Sequence, residues 1–153
     1  MSFDYSKTRD ERTNWRDKEL SNRHRKWGFN CPAIDIDFLM IEYNNGLPVA
    51  IIDYKRYSGS VENVSQASFR AITALANNSN IPFFVVYYWE KIWAFKILPI
   101  NDIGKKIIKN NSDKTDYTEK EFVTLLYNIR NINLTKQERD ILNSLNNEYP
   151  PLL

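Results

Sequence analysis

The sequence is poor in the features that mark secreted, membrane-bound or strongly basic proteins. Its 153 residues include a single cysteine, Cys31, which excludes an intrachain disulfide and favours a reducing compartment. No stretch reaches the roughly 18 consecutive apolar residues of a membrane span. The N-terminus is charged and has no apolar signal core. We therefore expect a cytoplasmic protein without membrane contact.

The sequence also lacks a strong excess of either charge, because its 21 Lys and Arg nearly balance its 19 Asp and Glu. The formal net charge of +2 is therefore uninformative about nucleic acid. Residues 1–28 are the exception, with eight Lys and Arg against five Asp and Glu. The aromatic fraction of 14% favours a packed globule over a disordered chain. We expect one domain over 1–153, with a basic N-terminal helix as its surface for phosphate.

Two apolar runs indicate a β-hairpin in the first half of the chain. Residues 33–43 and 47–52 are rich in aliphatic side chains, and the Asn-Asn-Gly sequence at 44–46 is a strong turn signal. Both runs are apolar at successive positions, which is typical of strands in a sheet that is covered on both faces. We therefore predict a three-residue loop between two buried strands.

Four charged side chains interrupt this hairpin. Residues two apart in a strand share a face, and the three-residue loop places Asp37 opposite Asp53 and Asp35 opposite Lys55. Opposed carboxylates repel each other and are costly to bury unless something neutralises them. Mg²⁺ is the usual solution, since one or two carboxylates hold it together with water and phosphate oxygens. The alternative is a solvated strand face on which Asp and Lys simply pair.

This arrangement resembles the PD-(D/E)XK nuclease superfamily, and in particular its small phage and bacterial members. The matching residues are Asp37, the hairpin, and the Asp-Tyr-Lys sequence at 53–55. The residue before Asp37 is Ile36 rather than the proline that names the superfamily, so either Asp35 or Asp37 is the principal ligand. The resemblance covers about residues 10–101.

The resemblance implies an α/β, or α+β, fold with a restriction-endonuclease-like core. Such a core has a mixed central sheet with flanking helices, and here it would span about residues 9–101. A C-terminal helical extension would follow at about 117–147. Pattern alone favours a mixed domain without any preference for a nuclease.

Hydrophobic periodicity and turn residues predict the other elements. Capping boxes at 118–121 and 135–138 mark the starts of two C-terminal helices. A polar loop is expected at 109–116. The remaining predicted elements are helices over about 9–26 and 62–76 and strands over about 81–88 and 92–98.

The resemblance also implies a catalytic role for the hairpin. Asp37 and Asp53 would bind Mg²⁺ or Mn²⁺, which neutralises charge on the phosphate and lowers the pKa of an attacking water. Lys55 would orient that water or stabilise the transition state as a fixed positive charge. The side chain of Tyr54 is expected in the core. Further candidate ligands are Asp35, Glu19 and the main-chain carbonyl of Tyr54.

Two polar residues on the predicted helices have alternative roles. A glutamate on the first helix often joins the metal site in this superfamily, and Glu19 is the candidate. Alternatively, Glu19 forms a surface pair with Arg23. In several branches a glutamine at the start of the second helix contacts the lysine or the phosphate, and Gln66 is the candidate. Alternatively, Gln66 lies on an ordinary polar helix face.

Contacts with the nucleic acid are expected from basic side chains. For the basic residues at the end of the first helix, the alternative is a solvated helix end without contact to phosphate, which the helix dipole favours. The aromatic residues of 87–93 are favoured as core rather than as base-stacking groups. The candidates for phosphate contact are Arg23, His24, Arg25 and Lys26 on the first helix, together with Arg56 and Arg70.

The predicted function is a Mg²⁺-dependent endodeoxyribonuclease that hydrolyses DNA, with RNA as an open alternative substrate. A second hypothesis is a non-catalytic nucleic-acid-binding or protein-interaction module with a nuclease-like fold. A third is a purely structural domain. A domain of this size has no separate recognition module, so a homodimer or a partner protein is a natural expectation.

Overall fold

The computed structural model describes residues 18–27, 30, 33–59, 66–111 and 116–148. The chain divides into two compact units, Met1–Asp35 and Ile36–Leu153. The first contains α1 (Lys18–Lys26), and residues 9–17 of the predicted helix lie outside the described residues. The last turn of α1 is basic, which the helix dipole favours. In the described part of the chain, no helix is long and apolar enough to cross a membrane.

The strands of the second unit are β1 (Phe38–Glu42), β2 (Leu47–Arg56), β3 (Phe83–Trp89), β4 (Ala94–Pro99) and β5 (Asp116–Tyr117). They form one sheet in the order β1-β2-β3-β4-β5. The neighbours β2 and β3 are parallel, and the other pairs are antiparallel. A parallel pair needs a crossover connection, which α2 (Ala67–Asn78) provides. The predicted α/β class with a mixed central sheet is therefore confirmed.

The β1–β2 hairpin has the predicted register at its open end and a different turn. Phe38 pairs with Ile52 and Met40 with Ala50. Beyond Met40 the register shifts by one residue, because a β-bulge places an extra residue in β2. The turn consequently contains the four residues 43–46 instead of the three that we expected.

The expectation that both hairpin strands are covered is wrong for β1. This strand lies at the edge of the sheet, and Phe38, Leu39 and Ile41 are all exposed, with Phe38 at 56%. Strand β2 lies between β1 and β3 and buries its central residues, Ala50 among them. An apolar run thus indicates a strand, but the strand's place in the sheet determines how much of it is buried.

Two of the three C-terminal helices begin at the predicted capping boxes. The Thr118 hydroxyl accepts a hydrogen bond from the Glu121 N–H at 3.3 Å, and the Glu121 carboxylate accepts one from the Thr118 N–H at 2.8 Å. Thr135 and Glu138 make the equivalent bonds at 3.2 and 2.8 Å. The helices are α3 (Asp102–Asn111), α4 (Glu119–Ile129) and α5 (Lys136–Glu148).

The predicted polar loop at 109–116 is wrong at both ends. Helix α3 continues to Asn111, and β5 begins at Asp116, while residues 112–115 lie outside the described residues. The helix brings Ile108 into the core, and β5 brings in Tyr117. Both residues are therefore core positions on either side of the predicted loop.

The side chain of Asn101 joins three elements at one buried point. Its oxygen accepts hydrogen bonds from the N–H groups of Phe83 and Gly104, each at 3.0 Å. Its amide group donates to the Ile81 carbonyl at 2.8 Å and to the Asn77 side chain at 3.1 Å. These bonds connect the end of α2, the start of β3 and the first turn of α3. Every hydrogen-bonding capacity of this buried amide is used.

The two faces of the sheet are packed by different helices. On one face, hereafter the α4 face, Ile52 and Phe84 pack with Phe122 and Leu125 of α4. Because successive residues of a strand point to opposite faces, the next residues along each strand form the other face. On that second face, hereafter the α2 face, the core residues of the sheet and of α2 are Ile51, Phe83, Val85, Tyr87, Phe69, Ile72 and Ala76.

Candidate functional site

Asp53 and Lys55 both lie on the α2 face, toward the carboxyl end of β2. They share this face with Ile51, because the three residues are spaced by two along one strand. Asp53 pairs with Val85 and Lys55 with Tyr87 in the parallel ladder with β3. The charged pair therefore follows directly on the apolar patch that α2 covers.

The ion pair between these two side chains is loose. The Lys55 Nζ lies 3.4 Å from the Asp53 Oδ1, whereas charge-assisted hydrogen bonds usually measure about 2.7–2.9 Å. The Asp53 side chain is only 14% exposed and that of Lys55 is 38% exposed. The Oδ1 atom itself is buried and has no hydrogen-bond partner of normal geometry. A buried carboxylate oxygen thus retains the capacity to bind a further group.

Asp37 lies beside Asp53, as the register at Phe38 and Ile52 requires. Burial raises the pKa of Asp53 to about 6, and a hydrogen bond with the Asp37 carboxyl and its negative charge contribute to that increase. The Lys55 ammonium acts in the opposite direction and does not compensate. A carboxyl group whose ionisation is opposed by burial and by a neighbouring carboxyl group is one that a cation would stabilise.

Asp37 and Asp53 are the residues that could hold a divalent metal ion here. Within the described residues, no three His, Cys, Asp or Glu side chains come together as a metal-binding group. Two carboxylates nevertheless suit Mg²⁺, which retains several waters and takes phosphate oxygens as further ligands. The Asp53 Oδ1, which makes an ion pair but no hydrogen bond, and the hard oxygen donors therefore fit such an ion.

The main-chain carbonyl of Tyr54 points toward the side of β2 on which β1 lies. The Ile51 N–H donates to the Pro82 carbonyl on the β3 side at 3.0 Å. Main-chain groups of successive residues point to alternate sides of a strand, so those of Tyr54 point toward β1. The ladder with β1 begins only at Phe38 and Ile52, one residue before Asp53. The Tyr54 carbonyl thus lies beyond the last residue pair of that ladder, a position that is compatible with a role as a metal ligand.

The Tyr54 side chain is part of the core on the α4 face, as expected. Its ring makes edge contacts with Phe38 and Phe122, with centroids 4.9 and 6.2 Å apart. Burial raises the pKa of Tyr54 to about 12. The phenol therefore stays protonated at neutral pH and takes no part in the charge of the site.

Five other candidate residues lie on α1, and a sixth, Asp35, is the last residue of the first unit. The ring of His24 contacts that of Trp27, with centroids 5.7 Å apart. The basic residues form the last turn of the helix, where the helix dipole stabilises them. Their contacts with phosphate or metal remain predictions, and the candidates are Glu19, Arg23, His24, Arg25 and Lys26.

Gln66 and Arg70 occupy the first turn of α2. Gln66 is the N-cap residue, but its side chain makes no capping hydrogen bond, although its carbonyl accepts from the Arg70 N–H at 3.1 Å. In a β-α-β crossover the helix begins near the carboxyl end of the first strand, which is where Lys55 lies. Both side chains are exposed, and their contacts with Lys55 or phosphate remain predictions.

Arg56 forms an ion pair with Glu90 at the adjacent end of β3. This partner raises the pKa of Arg56 further above its ordinary value. Both side chains are more than half exposed, so the pair is screened by solvent and exchanges readily. A phosphate contact by Arg56 would compete with Glu90 for the same guanidinium group.

Lys96 is a candidate that the sequence reasoning missed. It pairs with Tyr87 of β3, and Tyr87 in turn pairs with Lys55. Directly paired residues share a face, so the two lysines lie on the α2 face about 10 Å apart, two strand spacings. The signal was present in the sequence, since Lys96 interrupts an apolar run as Lys55 does.

The aromatic residues of β3 and the following turn divide between the two faces. Tyr87 is buried in the α2-face core, and Tyr88 and Trp93 pack against the α4-face core, so the core prediction is confirmed for these three. Trp89 is half-buried and contacts the ring of Tyr57, with centroids 4.4 Å apart.

Comparisons with protein-family models, with curated proteins and with solved structures found no match for this chain. Function is therefore inferred from the chemistry of the site itself. Asp37 and Asp53 supply anionic oxygens, and Lys55 supplies a cation at the boundary of a covered surface. Such an arrangement can bind a metal ion and a phosphate side by side.

Proposed function

We propose that the protein is a metal-dependent nuclease that hydrolyses DNA phosphodiester bonds. The observation that carries this proposal is the Asp53 carboxylate, which is buried beside Asp37 and has an oxygen without a hydrogen bond. The Lys55 ammonium lies 3.4 Å from that oxygen but does not offset the burial and the neighbouring Asp37, so a further positive charge would stabilise the carboxylate. Mg²⁺ or Mn²⁺ is the ligand of matching charge and hardness.

A purely structural role for the ion pair explains these observations less well. A structural pair gains most when the charged atoms form short, well-aligned hydrogen bonds. Here the Lys55 Nζ remains 3.4 Å from Asp53 and lies at a partly exposed position. Its ammonium group is therefore accessible to a phosphate while staying next to the carboxylates.

The order of elements also supports a restriction-endonuclease-like core. An antiparallel hairpin carries the Asp and Asp-x-Lys residues, and α2 then leads into the parallel strand β3. The PD-(D/E)XK superfamily has the same succession of hairpin, helix and strands. The resemblance in sequence and the arrangement of the sheet therefore favour the same function.

Each residue has a defined task in the proposed mechanism. Asp37 and Asp53, with the Tyr54 carbonyl, hold the metal ion. When bound, the ion neutralises charge on the scissile phosphate and lowers the pKa of the attacking water. Lys55 stabilises the negative charge that develops on the phosphate oxygens, from a position that the β2–β3 ladder fixes. Gln66 orients Lys55 or contacts the phosphate.

The decisive experiment is a cleavage assay on supercoiled plasmid and on forked oligonucleotides in Mg²⁺ or Mn²⁺. Asp53→Asn should abolish cleavage, and Lys55→Met should reduce it by on the order of 100-fold or more. The matched controls are Asp102→Asn and Lys105→Met, which alter an exposed Asp–Lys pair on α3 with an N–O distance of 4.0 Å. Both controls should cleave like the wild type.

Metal binding tests the same proposal without turnover. Calorimetric titration with Mn²⁺ should show binding that Asp53→Asn removes and Asp102→Asn retains. Cleavage that persists in EDTA or in Asp53→Asn would refute the proposed function. Metal and DNA binding without any cleavage would instead identify a non-catalytic nucleic-acid-binding module with this fold.

A further inference from the structure

Two aromatic side chains continue the row of site residues beyond Lys55. Tyr57 follows Asp53 and Lys55 at the same spacing of two, and the Tyr57 N–H donates to the Tyr88 carbonyl at 3.0 Å. That bond extends the pairing of β2 with β3 past Arg56, the last residue of β2. Tyr57 therefore lies on the α2 face, next to Lys55.

Trp89 occupies the corresponding position on β3. It follows Tyr87 by two residues, so it also lies on the α2 face. The rings of Tyr57 and Trp89 have centroids 4.4 Å apart and planes inclined by 33°. We call these two side chains the aromatic step.

The two rings of the aromatic step differ in how they are held. Tyr57 packs against the α2-face core and makes an edge contact with Tyr87, with centroids 6.1 Å apart. Trp89 is half-buried and, among the described residues, packs against neither core cluster. Tyr57 thus anchors the step, and Trp89 presents indole surface toward solvent.

A second aromatic pair of the same chemistry lies on the opposite face. The ring planes of Tyr88 and Trp93 are nearly parallel, with an angle of 13° between them and centroids 6.3 Å apart. Both pack against the α4-face core. Their packing against that core accounts for the presence of both rings, whereas in the aromatic step only Tyr57 packs against a core and Trp89 lies beside the charged site.

We propose that the aromatic step stacks on an unpaired base of the substrate, next to the phosphate at Lys55. This inference rests on the proposed nuclease function and specifies its substrate class as DNA that is single-stranded at the site, such as a single strand, a flap or a fork. In a duplex both faces of a base are already covered by its neighbours, so an aromatic side chain can stack only on a base that has left the helix.

The charges around the step fit a single strand. Lys55 and Lys96 lie on the two sides of the buried Tyr87, on the same face as the step. A row of cations beside an aromatic platform is the usual arrangement for holding a single-stranded backbone while its bases stack. A further cation, the exposed Arg70, lies in the first turn of the helix that packs on that face.

The test compares binding of a fluorescein-labelled oligothymidylate, the corresponding duplex and a fork. Binding is measured by anisotropy in Ca²⁺, and the single strand exceeds the roughly 16 nucleotides that one small fold can occupy. Wild type should bind the single strand and the fork more tightly than the duplex. Trp89→Leu should weaken single-strand binding by about 10-fold or more, and Trp89→Phe should retain most of it.

Trp93→Leu is the matched control, because it removes an indole from the aromatic pair on the other face. It should leave single-strand affinity unchanged. A single strand with 2-aminopurine in place of one base gives an independent measurement on the unaltered protein. Stacking on the step should quench its fluorescence on binding, and Tyr57→Leu should diminish that quenching.

The outcomes separate this inference from the proposed function. Equal affinity for duplex and single strand, or an unchanged affinity in Trp89→Leu, would overturn the inference. Metal-dependent cleavage that requires Asp53 would still support the nuclease in that case. Conversely, Trp89-dependent binding and quenching without any cleavage would uphold base stacking and refute the nuclease. If Trp89→Leu does not fold, the wild-type quenching decides, since its absence contradicts stacking.

Discussion

The two faces of the central sheet differ although the same strands form both. On the α4 face, β2 and β3 contribute Ile52, Phe84 and Val86 to a continuous apolar core. On the α2 face, the apolar core extends only to the level of Val85 and Tyr87, where Asp53 and Lys55 begin. One face therefore serves stability along its whole length, and the other combines stability with a site.

Ile52 and Asp53 show this difference at adjacent positions of one strand. Ile52 is almost completely buried, and its burial stabilises the fold by removing apolar surface from water. Asp53 is half-buried on the opposite face, where its charge is incompletely compensated. A strand can thus carry an energetically unfavourable residue when its neighbour on the other face packs well.

The largest effect is expected when a charge is placed on the wrong face. Ile52→Asp would bury a carboxylate among apolar side chains without a partner, and it should lower the free energy of unfolding by about 4 kcal/mol or more. We expect the variant to be unfolded or close to unfolding. Urea titration followed by circular dichroism measures this.

The reciprocal change on the α2 face is the control. Asp53→Val removes a poorly compensated carboxylate and should leave the metal-free protein folded and at least as stable as the wild type. If Ile52→Asp were tolerated as well as Asp53→Val, the proposed difference between the faces would be wrong.

An intermediate effect is expected in the pH dependence of stability. The pKa of Asp53 is raised from 3.8 to about 6 on folding, so the folded protein binds this proton more tightly than the unfolded chain. Its contribution therefore makes the protein less stable as the pH rises from about 4 to above 6. In EDTA at pH 8, Asp53→Asn should be more stable than the wild type by about 1–2 kcal/mol, after allowance for solvent screening.

The informative quantity is the difference between the wild type and Asp53→Asn at each pH, since carboxyl groups that do not interact with Asp53 cancel in it. This difference should be largest above pH 7 and should decline toward pH 4. Asp102→Asn, on the exposed surface of α3, should show no such trend. A pH-independent difference for Asp53→Asn would contradict the raised pKa.

The smallest effect is expected at the rim of the α4 face. Arg130, the C-cap residue of α4, donates to both carboxylate oxygens of Glu42 at the end of β1, at 2.6 and 3.0 Å. This contact holds the pKa of Glu42 below its ordinary value. The resulting stability is present above the ordinary pKa of 4.5 and is lost as the pH falls below it.

Glu42→Gln and Arg130→Met should each lower the urea midpoint slightly at pH 7. The size of this loss should be smaller than the gain in stability expected for Asp53→Asn. Solvent reaches both side chains, so salt should reduce the effect. The double variant should lose little beyond either single variant. Additive losses would show that the two side chains act independently.

Local patterns in the sequence were sufficient to predict much of the fold. Alternation and turn residues indicated the hairpin, and its register at Phe38 and Ile52 followed from counting back from the turn, even though the bulge and the longer turn were missed. The capping boxes at Thr118 and Thr135 correctly predicted the starts of two helices. Both hydrogen bonds of a capping box join residues three apart, so local sequence alone specifies the motif.

The features that the sequence did not reveal depend on distant parts of the chain. The exposure of β1 follows from its place at the sheet edge, and the position of Lys96 beside Lys55 follows from the order of strands. Helix α3 was missed because the residue before it, Asn101, makes its hydrogen bonds with the distant Asn77, Ile81 and Phe83. The roles of Asp37, Asp53 and Lys55 in catalysis remain predictions.

Asn101 has a consequence for anyone who redesigns this domain. Its amide accepts twice and donates twice, so substitution by Leu, which has nearly the same shape, would deprive three buried groups of this partner, namely the N–H groups of Phe83 and Gly104 and the Ile81 carbonyl. Asp has the acceptors but no donors, and Gln is longer by one methylene group. Gly104 is similarly restricted, because an added Cβ would lie 3.1 Å from the Phe83 carbonyl oxygen. A designer can vary much of the surface, but at this junction the backbone admits essentially one side chain.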